Sequence, residues 1–504
     1  MTVAPERAAD TTQQPVHTRA LIIGTGFSGL GMAIELQRRG VEFLILEKAD
    51  EIGGTWRDNT YPGCACDIPS HMYSFSFEPK PDWKHMWSFQ PEIFDYLKGV
   101  TEKYGLRRYI SFHSHVDRAH WDDDELRWHV FTKDGREFVA QFVVSGVGGL
   151  HIPLIPEFEG LDEFTGAAFH SAQWDHSVDL TGKRVAVIGT GASAIQIVPE
   201  IVKDVGALHL YQRTPAWVMP RPNNPIPQWM RDAFTNVPGT RAAMRAGIYW
   251  IHEAVGFAMT KQPRLLKIGE LMGKWNIRRS IEDPELRRKL TPNYRAGCKR
   301  ILNSDTYYVG IANPKTEVIT DKIARFTPRG IVTADGVERD VDVVVFATGF
   351  HVTDSYTYVD IKGPGGEDLG DRWTREGVSA LHGITIADMP NLFFLLGPNT
   401  ALGHNSVVFM IESQIRYAAH AIAAVDKAGA QALAPTREAA DAYNAELQRQ
   451  LAGTVWSTGG CQSWYLDEHG VNRTLWSGMT WQYWLSTRKF KASEYKFLGV
   501  GKRN

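Results

Sequence analysis

Apolar residues in this chain repeat in two blocks, and each block runs into glycine. Ala20–Ile23 is a short apolar run that meets Gly24-Thr25-Gly26-Phe27-Ser28-Gly29. Leu30, Ala33, Ile34 and Leu36 then recur at helical spacing until Gly40, and Phe43–Leu46 is a second run closed by Glu47. Spacings of three and four mark one face of a helix, and short unbroken apolar runs mark buried strands, so this block predicts strand–helix–strand. The pattern returns downstream. Arg184–Ile188 feeds Gly189-Thr190-Gly191-Ala192-Ser193-Ala194, followed by Ile195, Ile197, Val198 and Ile201 on a helical face and by a strand, Leu208–Tyr211. Each block is followed by alternating positions around an Asp-Gly pair, Asp134-Gly135 and Asp335-Gly336, which predicts hairpins. Apolar runs then enter glycine again, Phe142-Val143-Val144 into Gly146–Gly149 and Val343–Phe346 into Ala347-Thr348-Gly349-Phe350.

From about residue 222 to 295 the pattern breaks into helices rich in Arg, Trp and Met. Late in the chain, Phe393–Leu396 reads as a strand, and a helix starting near Ser406 carries Val407, Met410, Ile411 and Ile415 on one side. The prediction is an α/β fold with two Rossmann-type dinucleotide-binding domains and an inserted helical subdomain. Residues 1–19 are expected to be a mobile tail and 20–155 the first part of one domain. Residues 156–345 would form the second domain with its insert, and 346–504 would return to the first and end in an aromatic tail.

The residues at the strand ends select the occupants. Glu47 stands eighteen residues beyond Gly29, where a carboxylate reaches a ribose hydroxyl. Backbone NH groups around Gly24, Gly26, Phe27, Ser28 and Gly29 would hold a pyrophosphate at the helix start. FAD fits this first site. In the second block Arg213 and Thr214 stand at nearly the same distance, and a cation there suits a ribose carrying a 2′-phosphate. NADPH is therefore expected over Gly189, Thr190, Gly191, Ala192 and Ser193.

Composition narrows the class. The 504 residues are 43% hydrophobic and 22% charged, with a net charge of -2, which gives no electrostatic reason to expect nucleic acid or an anionic membrane. Four cysteines are too few for a disulfide scaffold, and Cys64 and Cys66 fit neither a redox pair nor a zinc spacing, so reduced cysteines are expected. The polar start lacks a signal-peptide core, and Gly247–Thr260 is too short to span a bilayer, so a cytoplasmic protein is expected. No metal site is expected: His113 and His115 alternate as on a strand with nothing to complete a ligand set.

Between the two glycine blocks lies Phe164–Asp175, FTGAAFHSAQWD. Its Phe164, Gly166, His170, Trp174 and Asp175 match F-x-G-x-x-x-H-x-x-x-W-D, and the stretch resembles the fingerprint of the type I Baeyer–Villiger monooxygenases. Gly53-Gly54-Thr55-Trp56 through Tyr61-Pro62-Gly63 to Asp67 resembles that family's second signature, and Gly297-Cys298-Lys299-Arg300 resembles its G-x-K-R segment. The resemblance implies that Gly54, Thr55, Trp56 and Tyr73 lie near FAD, although core packing accounts for Tyr73 about as well. It implies that Asp67 sits at the reaction centre and orients Arg300, that Lys299 lies near the NADPH phosphate, and that Ala347, Thr348 and Gly349 join the domains. Arg300 would stabilise a C4a-peroxyflavin anion and the oxyanion formed when it attacks a ketone. His170 would support movement between domains rather than pass a proton to substrate.

The implied reaction consumes NADPH and O2 and turns a small-molecule ketone into an ester or lactone. The rival reading is a flavin monooxygenase acting on nitrogen or sulfur, against which Trp174-Asp175 argues. His404 is expected to serve local hydrogen bonding or helix capping. The tail resembles that of the 4-hydroxyacetophenone-type branch and would cover the active site.

Overall fold

The computed structural model describes residues 14–352, 354 and 358–501. Two sheets organise it. In the first, Val16–Ile23 lies between Phe43–Leu46 and Glu137–Ser145, parallel to both. Arg127–Thr132 and Val116–Asp122 continue the sheet antiparallel, and Leu392–Phe394 returns late in the chain to pair parallel with Glu137–Ser145. The second sheet is parallel throughout, in the order Thr316–Ile319, Ala207–Tyr211, Arg184–Ile188, Val343–Phe346, Ala167–His170. Parallel strands are buried on both faces, which is why they read as unbroken apolar runs. Ala20, Leu21 and Ile22 are wholly buried, as are Val185, Ala186 and Val187.

Strand pairing reaches further than hydrophobicity does. The first strand begins at Val16, and Val16, His17 and Thr18 pair with Phe138, Val139 and Ala140. The expected tail is thus corrected at its inner end, because backbone hydrogen bonds hold these more polar residues in register; its residues 1–13 lie outside the described residues. His113 is corrected too: it has φ 54 in the connection between Ile110–Ser111 and Val116–Asp122, not on a strand.

The chain passes between the two sheets twice, side by side. Pro153 bridges Phe350, the Leu154 NH donates to the Gly349 carbonyl at 2.9 Å, and the His351 NH donates to Ile152 at 3.0 Å. The Phe164–Asp175 stretch forms the near wall of this joint. A Cβ on Gly166 would lie 2.4 Å from the Asp342 carbonyl oxygen and 2.5 Å from the Phe164 ring, so only glycine lets the strand approach. Phe164 meets Phe326 edge-on at 6.0 Å, and Trp174 meets Phe169 at 5.2 Å.

Helices Gln228–Asn236, Thr240–Thr260, Leu266–Ser280 and Pro284–Leu290 form the insert. After it, Cys298 and Cys461 are joined by a disulfide with an S–S distance of 2.01 Å. This corrects the expectation of four reduced cysteines. The partners are 163 residues apart, a pairing that no local spacing reveals. Cys64 and Cys66 remain free and buried. No helix among the described residues is long and apolar enough to cross a membrane.

Candidate active site

The first glycine turn is built by close backbone approach. Gly24 has φ +98, and a Cβ on Gly29 would sit 1.9 Å from the Gly24 carbonyl oxygen. Gly26, by contrast, has nothing within 4 Å of where a Cβ would stand. It precedes the helix Phe27–Arg38, whose start has no side-chain cap and no acid in its first turn. Unpaired NH groups facing open space at a helix start fit a pyrophosphate. The loop from Gly53 roofs this cradle: a Cβ on Gly54 would lie 3.4 Å from the Gly26 Cα, and Thr55 is exposed at the start of a short helix. Trp56 donates to the Tyr73 hydroxyl at 3.2 Å, and Phe27 meets Tyr73 edge-on at 5.2 Å, which places all three rings beside the turn.

Glu47 is placed as expected but is already engaged. One carboxylate oxygen accepts from the Thr25 NH at 3.1 Å and the Thr25 hydroxyl at 2.5 Å. The other accepts from the Ala49 NH at 3.0 Å and from Arg57 at 2.9 Å. A carboxylate has about four acceptor sites, so a ribose hydroxyl must share one of these. Sequence spacing found the residue and missed its second task of locking the turn.

The second turn repeats the geometry. Gly189 has φ +118 and a Cβ there would lie 2.3 Å from the Ala347 carbonyl oxygen, while Gly191 faces open space. Thr190 donates to the Thr214 carbonyl at 2.8 Å, and Ala192 and Ser193 lead into the helix Ala194–Ile201. Arg213 is exposed at the end of the next strand. Lys299 comes from far along the chain to stand near it: burial, and then the charge of Arg213, hold the Lys299 ammonium below the ordinary lysine value. Two cations gathered beside an open glycine turn fit a phosphate.

The two modules meet at the Gly53–Asp67 loop. The Tyr61 hydroxyl and the Ala65 NH donate to the Gln196 side-chain oxygen at 3.0 and 3.2 Å, and the Gln196 amide donates back to the Ala65 carbonyl at 3.0 Å. Thr60 contacts His176 at 2.8 Å, just past the fingerprint stretch. A Cβ on Gly63 would fall 2.7 Å from the Gln196 carbonyl. These contacts carry Asp67 to Arg300, whose Nε donates to the carboxylate at 2.6 Å. A second Arg300 nitrogen donates to the Leu402 carbonyl at 3.1 Å, next to the start of the late helix Val407–Ala428.

The pair is 28% and 24% exposed at its side chains, enough for a ligand to reach. Burial opposes both charges, but each partner overrides it: Asp67 is held below the ordinary carboxylate value by Arg300 and then Arg221, and Arg300 is raised by Asp67. Both are therefore ionised at neutral pH.

Two residues here carried no recognised signal in the sequence. Arg221 donates to the Cys66 carbonyl at 3.3 Å, has a buried Nε without a hydrogen-bond partner, and adds its charge to Asp67. It lies between Pro220 and Pro222, which restrict its backbone but carry no sign of what its side chain meets. Tyr465 is 1% exposed beside the two charges: burial raises its hydroxyl to about 12, with Arg300 lowering and Asp67 raising it. Tyr465 brings the tail, anchored by Cys461, over the ion pair.

The remaining candidates lie elsewhere. His170 is not joined to Asp67 or Arg300; it ends the edge strand of the second sheet, opposite Phe346. Its Nδ1 accepts from the Ala172 NH at 3.1 Å, its ring meets Phe350 edge-on at 5.4 Å, and burial lowers its pKa, so it is neutral and packed against the joint. Thr348 donates to the Leu154 carbonyl, and Gly349 has φ +93 facing open space. For His404 the capping alternative is corrected, since Ser406 caps the late helix, while the His404 carbonyl contacts the His252 ring at 2.6 Å. The His404 Nε2 lies 3.7 Å from Glu253, which accepts from Thr480 and Asn405 at 2.6 and 2.7 Å.

Fold and site together define a flavoprotein with two dinucleotide modules and one ion pair where they meet. The flavin-binding monooxygenase-like family model matches residues 17–230. A Baeyer–Villiger monooxygenase of Pseudomonas aeruginosa is 48% identical over 95% of this chain and 91% of its own length. One of Streptomyces coelicolor is 46% identical over 97% of this chain and 94% of its own. Cyclohexanone monooxygenase from Rhodococcus sp. Phi1 bound to NADP+ superposes with a TM-score of 0.87 at 29% identity, covering 96% of this chain and all 100% of that one. Steroid monooxygenase bound to NADP superposes at 0.85 and 29% identity with the same coverage. This chain belongs to the Baeyer–Villiger monooxygenases.

Proposed function

We propose that Asp67 and Arg300 carry the oxygen-insertion step on a ketone, while Arg213 and Lys299 select NADPH. The enzyme is a flavoprotein monooxygenase using FAD, NADPH and O2. FAD held at the first glycine turn and reduced by NADPH would supply the activated oxygen; this chain positions and stabilises what that oxygen meets. Arg300 holds a fixed positive charge where negative charge develops on the carbonyl oxygen, and a preorganised donor needs no reorganisation at that moment. Asp67 fixes the guanidinium through Nε and the Leu402 carbonyl holds a second nitrogen, which leaves the third for the reacting atoms. Arg221 adds a second cation behind the carboxylate. Tyr465 and the tail restrict water, which strengthens each of these interactions. His170 serves as a positioning residue in the joint and transfers no proton to substrate.

The observation that carries this reading is the Arg300–Asp67 ion pair at 2.6 Å, located where both modules converge. It is tested by incubating the yellow holoenzyme with NADPH, air and a panel of linear, cyclic and aryl ketones. Products one oxygen heavier, identified by mass spectrometry as esters or lactones, are expected. Oxygenation confined to amines or sulfides would replace the ketone with the rival substrate class.

A further inference from the structure

The insert presents a face that its place in a water-exposed protein does not explain. Trp250, Ile251 and Phe257 on the helix Thr240–Thr260 are 61%, 66% and 43% exposed. Every exposed position from 242 to 257 is Ala, Gly, Val, Ile, Phe or Trp. On the next helix, Leu266–Ser280, Ile268, Leu271 and Trp275 are 62%, 67% and 55% exposed. Scattered exposed apolar residues are ordinary, but two successive helices with apolar outer stripes mark an interaction surface.

Charge on the same segment is segregated by sign. Lys261, Arg264, Lys267, Lys274 and Arg278 are all exposed. The two acids between 240 and 280 turn inward: Glu253 is buried against Thr480 and Asn405, and Glu270 faces Arg295 and the Ala296 NH. The outer surface of these helices is therefore apolar and cationic, with no exposed carboxylate of its own. A symmetric contact with a second copy would set these cations against their own counterparts.

We propose that the outer face of residues 240–280 seats this enzyme on an anionic lipid bilayer. Trp250, Ile251, Leu271 and Trp275 would enter the headgroup–acyl boundary while the Lys and Arg side chains reach the phosphates. The contact is peripheral, since no described helix is long and apolar enough to cross. A net charge of -2 for the whole chain conceals this local excess.

The test is co-sedimentation of the FAD-loaded holoenzyme with large vesicles of phosphatidylcholine alone or mixed with phosphatidylglycerol. The native protein is expected to pellet with the mixed vesicles about tenfold more than with phosphatidylcholine, and to be released by salt. Ile251→Glu and Leu271→Glu are each expected to reduce that binding by about tenfold, with flavin content and NADPH consumption unchanged. Light scattering on the same samples separates the alternatives. A native protein that stays in the supernatant, or variants that pellet as well as it does, would overturn the proposal. A native dimer that Ile251→Glu converts to monomer, with no vesicle binding, would assign the face to a second copy instead.

Discussion

The two glycine turns share their backbone and differ in how they are closed. Each is pinned by a carbonyl from a returning strand: a Cβ on Gly24 would meet Gly146 at 2.9 Å, and one on Gly189 would meet Ala347 at 2.3 Å. The first is roofed by the Gly53–Asp67 loop and locked by a buried Glu47 that takes four protein hydrogen bonds. Gly26 and Gly191 both face open space, but across the second turn exposed Arg213 stands near Lys299. One architecture thus serves two different ends. A roofed, saturated turn suits a cofactor that stays; a turn flanked by cations, one of them exposed, suits one that exchanges. FAD is expected to survive dialysis, and NADP to leave.

The largest effect separating the turns is expected from Gly29→Ala. Its Cβ would collide with backbone at 1.9 Å, so the purified protein should lack flavin absorbance. Gly191→Ala meets no protein atom, and should keep its flavin and raise only the KM for NADPH. Equal flavin content in the two variants would break the distinction. Next is Asp67→Ala, which leaves Arg300 without its fixed orientation. Ester formation should fall about 100-fold with flavin retained, and a normal rate would remove Asp67 from the mechanism.

Arg213→Ala should lower the NADPH-over-NADH preference about 10- to 100-fold, from ~1.5–3 kcal/mol per charge-assisted hydrogen bond. An unchanged ratio of kcat/KM values would refute the phosphate assignment. The smallest effect is a pH dependence. Lys299 sits below the ordinary lysine value of 10.5, so its proton is lost earlier as pH rises. Its charged form is the one that binds phosphate, so the KM for NADPH should climb before pH 10.5 while that for NADH stays flat. Parallel profiles would argue that Lys299 does not touch the phosphate.

What was legible in the sequence follows the range of the interactions involved. The parallel strands and glycine turns are local, and Gly24, Gly29 and Gly189 lie where their spacing put them because backbone clashes demand glycine there. Arg300 and Asp67 were found through motifs, although 233 residues separate them. Arg221 and Tyr465 escaped because each reaches the ion pair by a tertiary path that no periodicity carries. The Cys298–Cys461 disulfide escaped for the same reason. His170 shows the opposite limit: a fixed motif position, yet packed in the joint and joined to neither charged residue. On the insert helix, the run Gly247–Thr260 is too short to span a bilayer, but its spacing does not say which face looks outward.

The most direct measurement compares the native enzyme with Arg300→Ala under NADPH and 18O-labelled dioxygen, following NADPH loss and labelled product together. The native enzyme should place one labelled oxygen in the ester. Arg300→Ala should still bind flavin and consume NADPH, yet release hydrogen peroxide with no labelled ester. Labelled ester from Arg300→Ala at the native yield would contradict the account, because oxygen insertion would then not depend on the ion pair where the two modules meet.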